Sequence, residues 1–463
     1  MAVDREQVRA VVRRVLREMD ATPQPSRQRG VFDSVDDAHL AARSAHHKLK
    51  MLPLSTRRAM LDNIRTRCRQ QVDVLSVLAV EETGLGRVED KKRKNRLVID
   101  KTPGIEILKT HAVTGDDGLM LTERAPFGVI ASITPCTNPT ETIINNGIGM
   151  IAGGNAVVFN THPAAKGVSA SVIDLINAAS VAVGGPDNVV TCIAEPTIAS
   201  AQALMTHPRT DLVVVTGGGG VVNAAMRSGK KCVAAGPGNP PVLVDETADI
   251  DQAAQGIYAG ASLDNNIICT DEKEVFAVDA VFDALMARLQ GCGAVKLSPH
   301  QIERLENLIL TADRTHTDRT WVGKDASVYL RALDLPVSGD PRLIVCDVPA
   351  DHPFVQLELL MPIIGVVRVP DVEAGIQAAV QAEHGFRHTA SMYSKNIDAL
   401  DRMARAADTS IFIKNAPNFA GLGLGGEGYT SFTIASPTGD GLTTAMTFTR
   451  QRRCTLAGHF RIV

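Results

Sequence analysis

The chain has 463 residues, of which 44% are hydrophobic and 21% charged, and its formal net charge is only -3. This balance is typical of a soluble globular enzyme with two or three domains, and it excludes the strongly basic surface of a nucleic-acid-binding protein. No apolar run approaches the length that spans a bilayer, and the N-terminus lacks the apolar core of a secretory signal. We therefore expect a cytoplasmic protein with no membrane contact.

The eight cysteines are scattered and form no Cys-x-x-Cys pair. His384 and His388 form a His-x-x-x-His pair, but no cysteine pair accompanies it to complete a zinc site. We therefore expect neither a disulfide framework nor a bound metal. Aromatic residues make up 4% and glycines number 38, so we expect a core of Val, Ile, Leu and Ala around tight turns, as in an α/β protein.

Residues 4–19 place apolar side chains on one helical face and arginines on another, which predicts an amphipathic helix within residues 1–20. The Pro-rich, polar segment 21–30 predicts a linker. Such a helix either docks on its own domain or binds another protein through its valine face. The linker favours the second interpretation.

Residues 31–104 predict helices, with Ser34 and Asp36 as possible N-caps, and the charge-rich stretch 88–96 predicts a solvated helical face. Strands and helices then alternate. Strands are predicted at 119–124, 127–135, 156–160, 189–193 and 212–216, and after them at 242–244, 274–278, 342–346, 363–369 and 410–414. Repeated βα units imply mostly parallel sheets, in which a nucleotide binds at the carboxyl ends of the strands.

Four glycines, 217–220, follow a predicted strand and precede a predicted helix. Such a turn allows a phosphate or ribose to approach the backbone closely. The pattern does not match a complete dinucleotide fingerprint. A tight turn that needs positive φ explains the glycines equally well.

Cys269 closes a short polar-then-apolar stretch, 263–272. A free cysteine is usually a small buried hydrophobe, and this remains one interpretation. Asn265 and Asn266 come just before it, and their amides are able to orient a carbonyl oxygen, which favours a nucleophile. A reactive thiolate also needs electropositive or dipolar surroundings.

Pro135 begins a loop directly after a buried strand, where a doubly wound sheet exposes functional groups. Prolines at 135 and 139 fix this loop, which leaves Thr137 and Asn138 as candidate hydrogen-bond donors. A rigid connector with an Asn turn is the alternative interpretation.

Taken together, the ordered motifs resemble the aldehyde dehydrogenase superfamily over nearly the whole chain, and more narrowly its coenzyme A-acylating branch, found in bacterial microcompartments. The motifs are 135–142, 159–163, 216–218, 236–239, 266–269, 358–362 and 384–390. The resemblance implies an aldehyde dehydrogenase-like α/β fold with two Rossmann-type lobes. It implies an NAD- and coenzyme A-binding domain at 31–241 with a strand arm at about 108–125, a catalytic cysteine domain at 242–436 and a C-terminal oligomerisation segment at 437–463.

In that family the cysteine matching Cys269 attacks the aldehyde, passes a hydride to NAD and transfers its acyl group to coenzyme A. Its oxyanion donors are the backbone N–H of the nucleophile and an Asn side chain. The usual Asn position falls at Thr137 here, and an asparagine, Asn138, comes one residue later. Both remain candidate catalytic residues.

The resemblance also implies a cofactor site. Its candidate residues are Thr134, Pro135, His162, Thr216, Gly217, Gly218 and Glu358. Glu358 resembles the glutamate that holds the nicotinamide ribose; a surface or capping glutamate is the alternative. The family's usual lysine for the adenine ribose is replaced near His162, and we expect NAD rather than NADP. His388 either assists deprotonation of coenzyme A or makes a structural hydrogen bond.

Hydrolytic members of the superfamily carry a water-activating glutamate in the stretch that matches 235–238, and no carboxylate stands there in this chain. We therefore expect oxidation of a short-chain aldehyde, such as propionaldehyde, to its acyl-CoA. The alternatives are a hydrolytic aldehyde dehydrogenase and an inert packing protein. In microcompartment members a helix and linker like 1–30 target the enzyme to the shell interior, and the family implies a homodimer or homotetramer.

Overall fold

The computed structural model describes residues 28–461, so the predicted helix within residues 1–20 and most of the linker lie outside the described residues. The strands in this part of the chain are β1 (Val31–Phe32), β2 (His111–Gly115), β3 (Gly118–Pro126), β4 (Val129–Ile133), β5 (Ala156–Asn160), β6 (Val190–Ile193), β7 (Leu212–Thr216), β8 (Cys232–Ala235), β9 (Pro241–Val244), β10 (Glu274–Val278), β11 (Val295–Lys296), β12 (Ile344–Asp347), β13 (Ile363–Val369), β14 (Thr389–Tyr393), β15 (Ile411–Lys414), β16 (Ile434–Ala435), β17 (Gly441–Leu442) and β18 (Thr449–Ala457).

The α-helices of the same part are α1 (Val35–Leu49), α2 (Leu54–Gln70), α3 (Val72–Thr83), α4 (Val88–Lys101), α5 (Pro139–Ala152), α6 (Lys166–Val181), α7 (Ile198–Thr206), α8 (Gly219–Met226), α9 (Ile250–Ala261), α10 (Asp279–Gly291), α11 (Pro299–Ile309), α12 (Ala326–Ala332), α13 (Pro353–Gln356), α14 (Val372–Ala382) and α15 (Ile397–Ala407). Ser34 caps α1 by accepting a hydrogen bond from the backbone of Asp37. No helix within residues 28–461 has the length and apolarity needed to cross a membrane.

The first sheet has the order β1-β6-β5-β4-β7-β8, and its strands are parallel. Every residue of β4 and β5 is buried, because helices cover both faces of a parallel sheet and select continuous apolar runs. The predicted strands near 129–133, 156–160, 190–193 and 212–216 are confirmed. β8 is a strand that the sequence did not predict, since its four residues lie between a lysine pair and glycines and carry little pattern.

The second sheet has the order β11-β12-β13-β10-β9-β14-β15 and is also parallel. The predicted strands near 242–244, 274–278, 344–346, 363–369 and 411–414 are confirmed. β14 is an additional strand that carries Thr and Ser among its five buried residues, which hides it from a search for apolar runs. The expected α/β fold with parallel sheets is confirmed.

A third, antiparallel sheet projects from the body in the order β18-β3-β2. β18 pairs with β3 over nine residues, from Thr449 opposite Pro126 to Ala457 opposite Gly118. Between β17 and β18, Ala445 and Phe448 are buried in the same core cluster as the helices around the first sheet. The C-terminal part of the chain therefore returns to the first half of the molecule before it extends.

Two loops place candidate functional side chains in the region between the two large sheets. The loop 134–138 connects the carboxyl end of the central strand β4 to α5, and the loop 262–273 connects α9 to β10, in the middle of the second sheet. Lys273 at the end of the second loop donates its backbone N–H to the oxygen of Pro240, just before β9. Each loop is thus anchored to the most buried strands of its sheet.

Candidate active site

The backbone before Cys269 makes an unusual left-handed turn. Asp264, Asn265 and Asn266 have φ of 47°, 57° and 63°, a region that asparagine and aspartate tolerate better than other non-glycine residues. All three are buried. A left-handed run of three such residues is strained, so it persists only where surrounding contacts determine it.

The amides of the two asparagines supply those contacts. The Nδ2 of Asn265 donates to the oxygen of Gly323 and to Asp325, both at 3.0 Å. The Nδ2 of Asn266 donates to the oxygens of Ala261 and Glu272 at 2.9 and 2.8 Å. The suggestion that these amides orient a substrate carbonyl is therefore wrong, because their donors are used to hold the loop.

Cys269 is partly exposed at the end of this loop. Burial of the thiol and, next, the negative charge of Glu358 raise its pKa to about 12, while Lys273 acts in the opposite direction. The Nζ of Lys273 donates to the backbone oxygens of Asn266 and Ile268 at 2.8 and 3.0 Å. The structure thus supplies one nearby cation, but the thiol is protonated at neutral pH without its ligands.

The loop after β4 holds the candidate oxyanion donors. Asn138 is buried, and its Nδ2 donates to the hydroxyl of Thr137 at 3.2 Å. Thr137 itself is partly exposed. Thr134 is buried at the start of the loop, where its backbone N–H donates to Asn160, and Pro135 is partly exposed.

Two lysines of α4 lie beneath this loop, completely buried. Lys91 donates to the backbone oxygen of Thr137 at 2.5 Å and pairs with Asp264 at 2.9 Å. Lys94 donates to the Oδ1 of Asn138 at 2.6 Å and pairs with Asp264 at 2.5 Å. The prediction of a solvated face at 88–96 is wrong, because two of its cations neutralise an acid from the nucleophile loop.

Gly238 lies between Cys269 and His388. A Cβ at this position would stand 2.7 Å from the backbone oxygen of Cys269 and 2.9 Å from the Cγ of His388. Its N–H donates to Glu358 at 3.4 Å, and burial raises the pKa of that glutamate to about 7. The structure therefore places Cys269, Glu358 and His388 around one glycine, from stretches far apart in sequence.

His388 is fully buried, and its Nδ1 lies 2.9 Å from the hydroxyl of Thr389. Its Nε2 is buried without a hydrogen-bond partner among the described residues. Burial, and after it the charge of Lys273, lowers the pKa of the ring to about 3. His388 is therefore neutral at pH 7 and keeps one ring nitrogen available.

The carboxyl edge of the first sheet fits a dinucleotide. None of the glycines 217–220 has positive φ, so the backbone does not require glycine there, and a Cβ at 218, 219 or 220 would meet open space. The buried hydroxyls of Thr134 and Thr161, at the ends of β4 and β5, have no partner in the described structure. These features favour close approach of a ligand over the turn interpretation.

The other candidate cofactor residues lie around the same edge. Thr216 is the last residue of β7, and its hydroxyl lies 2.8 Å from that of Thr433. His162 is exposed after β5, and its Nδ1 accepts a hydrogen bond from the backbone of Ala164. The imidazole thus already has one intramolecular partner and presents its other nitrogen outward.

A cavity of 1010 Å³ opens between the two halves of the molecule. It is lined by Gly219 and Pro237 on one side, by Glu358 and His384 on the other, and by the segment 310–319, which includes Arg319. Its volume suits a nucleotide-sized ligand. Within the described residues, no cluster of His, Cys, Asp and Glu side chains is arranged to hold a metal ion.

Sequence reasoning missed the residues that organise the two loops. Lys91, Lys94, Asp264 and Lys273 are all buried. The hydrogen bonds of Asp264 reach partners up to 177 residues away in the sequence. The only available signal was the spacing of Lys91 and Lys94, which places them on one helical face. That spacing is equally typical of an exposed face.

Comparison with known proteins agrees with this architecture. The aldehyde dehydrogenase family profile matches residues 15–296. The acetaldehyde dehydrogenase (acetylating) EutE of Salmonella typhimurium is 49% identical over 100% of both chains. A propionaldehyde dehydrogenase from the fucose utilisation microcompartment of Clostridium phytofermentans is 46% identical, with a TM-score of 0.92 over 94% of this chain and 100% of that one.

A second solved structure is the propionaldehyde dehydrogenase of Rhodopseudomonas palustris with bound coenzyme A and an acylated cysteine. It is 46% identical, with a TM-score of 0.91 over 93% of this chain and 98% of the other. Identity at this level over nearly complete chains carries both the fold and the family. The expectation drawn from the motifs is confirmed: the chain belongs to the aldehyde dehydrogenase family.

Proposed function

We propose that this chain oxidises a short-chain aldehyde to its acyl-CoA, with NAD and coenzyme A, through a thioacyl bond to Cys269. Relatives that match 93% to 100% of the chain carry this type of activity in their names, or are propionaldehyde dehydrogenases, and one solved structure among them holds coenzyme A and an acylated cysteine. Acetaldehyde and propionaldehyde both occur among the relatives' substrates, so the proposal covers aldehydes of two or three carbons.

The observation that carries the acylating chemistry is the composition of the stretch 235–238, Ala-Gly-Pro-Gly, which holds no carboxylate. A side chain at Gly238 would collide with the backbone oxygen of Cys269 at 2.7 Å, so a water-activating glutamate has no space at this position. The next residue, Asn239, is buried and donates to the oxygens of Val355 and Ala382, both at 2.8 Å. Because residues 235–238 offer no carboxylate, this stretch cannot activate a water molecule, and a thioester at Cys269 persists until a thiol reaches it.

The proposed reaction proceeds through bonds that the sulfur of Cys269 forms and then breaks. The thiol of Cys269 gives up its proton to solvent, and the thiolate sulfur forms a bond to the aldehyde carbon, whose carbonyl oxygen becomes an oxyanion. The backbone N–H of Cys269 and a donor of the loop after β4, Thr137 or Asn138, stabilise that oxyanion. Loss of a hydride from that carbon gives the thioester. Attack by the thiol of coenzyme A then breaks the bond to Cys269, which leaves as a thiolate, and releases the acyl-CoA.

NAD, when bound, supplies the acceptor for the hydride. We assign its dinucleotide to the edge formed by Thr134, Thr216 and the glycine turn 217–219, and its nicotinamide ribose to Glu358. Open space over the glycines and the unpartnered hydroxyl of Thr134 support this assignment. The role of the protein there is to bind and orient the dinucleotide.

His388 is assigned to the second half of the reaction. Its Nε2 is buried and has no partner in the described structure, so it can accept a hydrogen bond from the thiol of coenzyme A; because burial lowers the pKa of the ring to about 3, uptake of the proton requires the bound ligand to raise that pKa. His388→Gln should therefore leave the first NADH formed per enzyme almost unchanged and slow acyl transfer about 100-fold. Equal slowing of both halves would indicate a structural role instead.

The proposed function is tested by following NADH with propionaldehyde and NAD, with and without coenzyme A. Without coenzyme A we expect one NADH per Cys269 and then arrest, because the thioester accumulates. Sustained NADH formation without coenzyme A would favour the hydrolytic alternative. Cys269→Ala should abolish both phases, whereas an inert packing protein would form no NADH in any variant.

We also propose that the enzyme works inside a bacterial microcompartment, as its relative from Clostridium phytofermentans does by name. Residues 1–20 would bind shell or core proteins. Deletion of residues 1–20 should leave kcat unchanged and abolish co-purification with shells; encapsulation of the shortened protein would refute that role of the segment.

A homodimer or homotetramer is the proposed assembly. The sheet β18-β3-β2 supports it, because β18 is exposed along eight of its nine residues and presents an unpaired edge. Truncation after residue 448 should lower the mass measured by light scattering to that of a smaller assembly. An unchanged mass would place the contacts elsewhere.

A further inference from the structure

The buried side chain of Lys94 makes three polar contacts, and they connect both catalytic loops to helix α4. Its Nζ lies 2.6 Å from the Oδ1 of Asn138, 2.5 Å from Asp264 and 3.2 Å from Glu141. Only 1% of the lysine side chain is exposed. A buried ammonium is costly, so it is retained where its contacts compensate for the loss of water.

The contact with Asn138 decides which way its carboxamide faces. An ammonium group has three donors and no acceptor, so only the oxygen of the amide can lie against it. The amide nitrogen is therefore turned away from Lys94, and it lies beside the hydroxyl of Thr137 on the partly exposed side of the loop. Without the lysine, the carboxylates of Asp264 and Glu141 favour the flipped orientation, in which the amide nitrogen faces them.

Asp264 connects Lys94 and the amide of Asn138 to the loop that carries Cys269. Its carboxylate pairs with both Lys91 and Lys94, and its Oδ1 accepts the backbone N–H of Arg87 at 2.7 Å. Burial alone would lower the pKa of Lys94, but the charges of Asp264 and Glu141 more than offset it and raise the pKa. Two lysines and two carboxylates thus form a neutral cluster beneath both loops.

We propose that Lys94 is a positioning residue for aldehyde oxidation, which holds the Nδ2 of Asn138 toward the reacting carbonyl oxygen. The proposal rests on the proposed function and adds a choice between the two donor candidates. Asn138 donates to the oxyanion, and the hydroxyl of Thr137 supports its amide. Lys91 holds the same loop by a backbone oxygen and does not orient the amide.

The test is a double-mutant cycle on kcat for NADH formation with saturating coenzyme A. Asn138→Ala should lower kcat about 100-fold or more, the usual effect of removing one oxyanion donor. Lys94→Met should lower it at least as far, because the amide then turns toward the acids. The double variant should be no more than about threefold below Lys94→Met.

Lys91→Met is the matched control, since it removes an equally buried cation from the same helix and the same Asp264. We expect a loss of less than about tenfold, and KM for NAD within about twofold of the unmodified enzyme for every variant. Rates are normalised to the first-turnover NADH per enzyme. A general loss of folded enzyme would make the two losses of the cycle multiply, and this result would overturn the proposal.

Lys94→Met leaves two carboxylates with one lysine and is at risk of misfolding. The pair Lys94→Met/Glu141→Gln removes one charge of each sign and keeps the cluster neutral, so it is the variant on which the conclusion depends. It should show the same loss of kcat and the same insensitivity to Asn138→Ala. A rate near that of the unmodified enzyme would refute the role of Lys94, whereas absence of any NADH in the unmodified enzyme would refute the proposed function.

Discussion

Lys273 binds Asn266 twice, through the backbone oxygen at 2.8 Å and through Oδ1 at 2.7 Å. A third bond reaches the oxygen of Ile268 at 3.0 Å, so one buried ammonium holds the left-handed turn and the residue before Cys269. The same charge lowers the pKa of the thiol, although burial and Glu358 outweigh it. Structure and reactivity of the nucleophile loop therefore depend on one side chain.

Lys273→Met should therefore reduce both the stability of the protein and the reactivity of Cys269. We expect a loss of roughly 2–4 kcal/mol in the free energy of unfolding, because three buried acceptors lose a charged donor. Alkylation of Cys269 by iodoacetamide should also slow several-fold at pH 8, since the pKa of the thiol rises further. Urea unfolding and mass spectrometry measure the two effects. Lys395→Met, at an exposed position, is the control and should change neither.

The raised pKa of Cys269 predicts how its reactivity depends on pH. With a value of about 12 in the protein without ligands, the thiolate fraction should rise close to tenfold for each unit between pH 7 and pH 9. The rate of iodoacetamide labelling of this residue should follow, with Cys269→Ala used to subtract the other cysteines. A plateau below pH 9 would mean that the surroundings of the thiol are more electropositive than the described contacts.

The sequence was sufficient for the parts of the fold that repeat a local pattern. Buried parallel strands such as β5, β7 and β13 appear as continuous apolar runs, and their bounds were predicted to within about two residues. β8 and β14 are not predicted from the sequence, because short strands that contain Thr, Ser or Cys have no continuous apolar run. The family motifs add what periodicity does not, namely a reason to propose Cys269, among eight cysteines, as the nucleophile.

The buried charge pairs of the site could not be predicted from local sequence patterns. Lys91 and Lys94 have the sequence pattern of a solvated helix, but Asp264 approaches both of them from the other half of the molecule, and Glu141 pairs with Lys94. Asn265 and Asn266 were assigned to the substrate because asparagine amides are good donors; tertiary contacts use those donors within the protein. Such pairings depend on long-range packing, which leaves no periodic trace in the chain.

Two glycines at the site should respond to alanine in opposite ways. Gly238→Ala would bring a methyl group to 2.7 Å from a backbone oxygen, so we expect a loss of about 1–3 kcal/mol in stability and more than tenfold in kcat. Gly218→Ala enters open space and should leave the melting temperature within about 1 °C. It should instead weaken NADH binding, measured by fluorescence, because the methyl group occupies the space assigned to the dinucleotide.

The opposite result for either alanine variant would contradict the role given to that glycine. A destabilised Gly218→Ala would mean that the turn, rather than a ligand, requires glycine at that position. A fully active Gly238→Ala would mean that the backbone shifts to make room for a side chain beside Cys269, and it would remove the steric argument at that position.

Glu272 predicts a pH dependence of stability. It is fully buried, its Oε1 accepts the backbone N–H of Asn418 at 2.8 Å, and its Oε2 has no partner in the described structure. Burial raises its pKa from the model-compound value of 4.5 to about 8. The folded protein therefore holds the proton more tightly than the unfolded chain, and this contribution to stability is complete below pH 4.5 and is lost as the pH rises to 8.

Glu272→Gln keeps an acceptor for Asn418 and cannot ionise. Relative to the unmodified protein, the variant should gain roughly 2–4 kcal/mol in the free energy of unfolding between pH 5 and pH 8, so that it is the more stable of the two at pH 8. Urea unfolding at both pH values measures this change. Glu246→Gln, at an exposed carboxylate, should stay within about 0.5 kcal/mol at either pH. A difference between Glu272→Gln and the unmodified protein that does not grow with pH would mean that Glu272 is already ionised in the folded state, stabilised by a charge that its described neighbours do not supply.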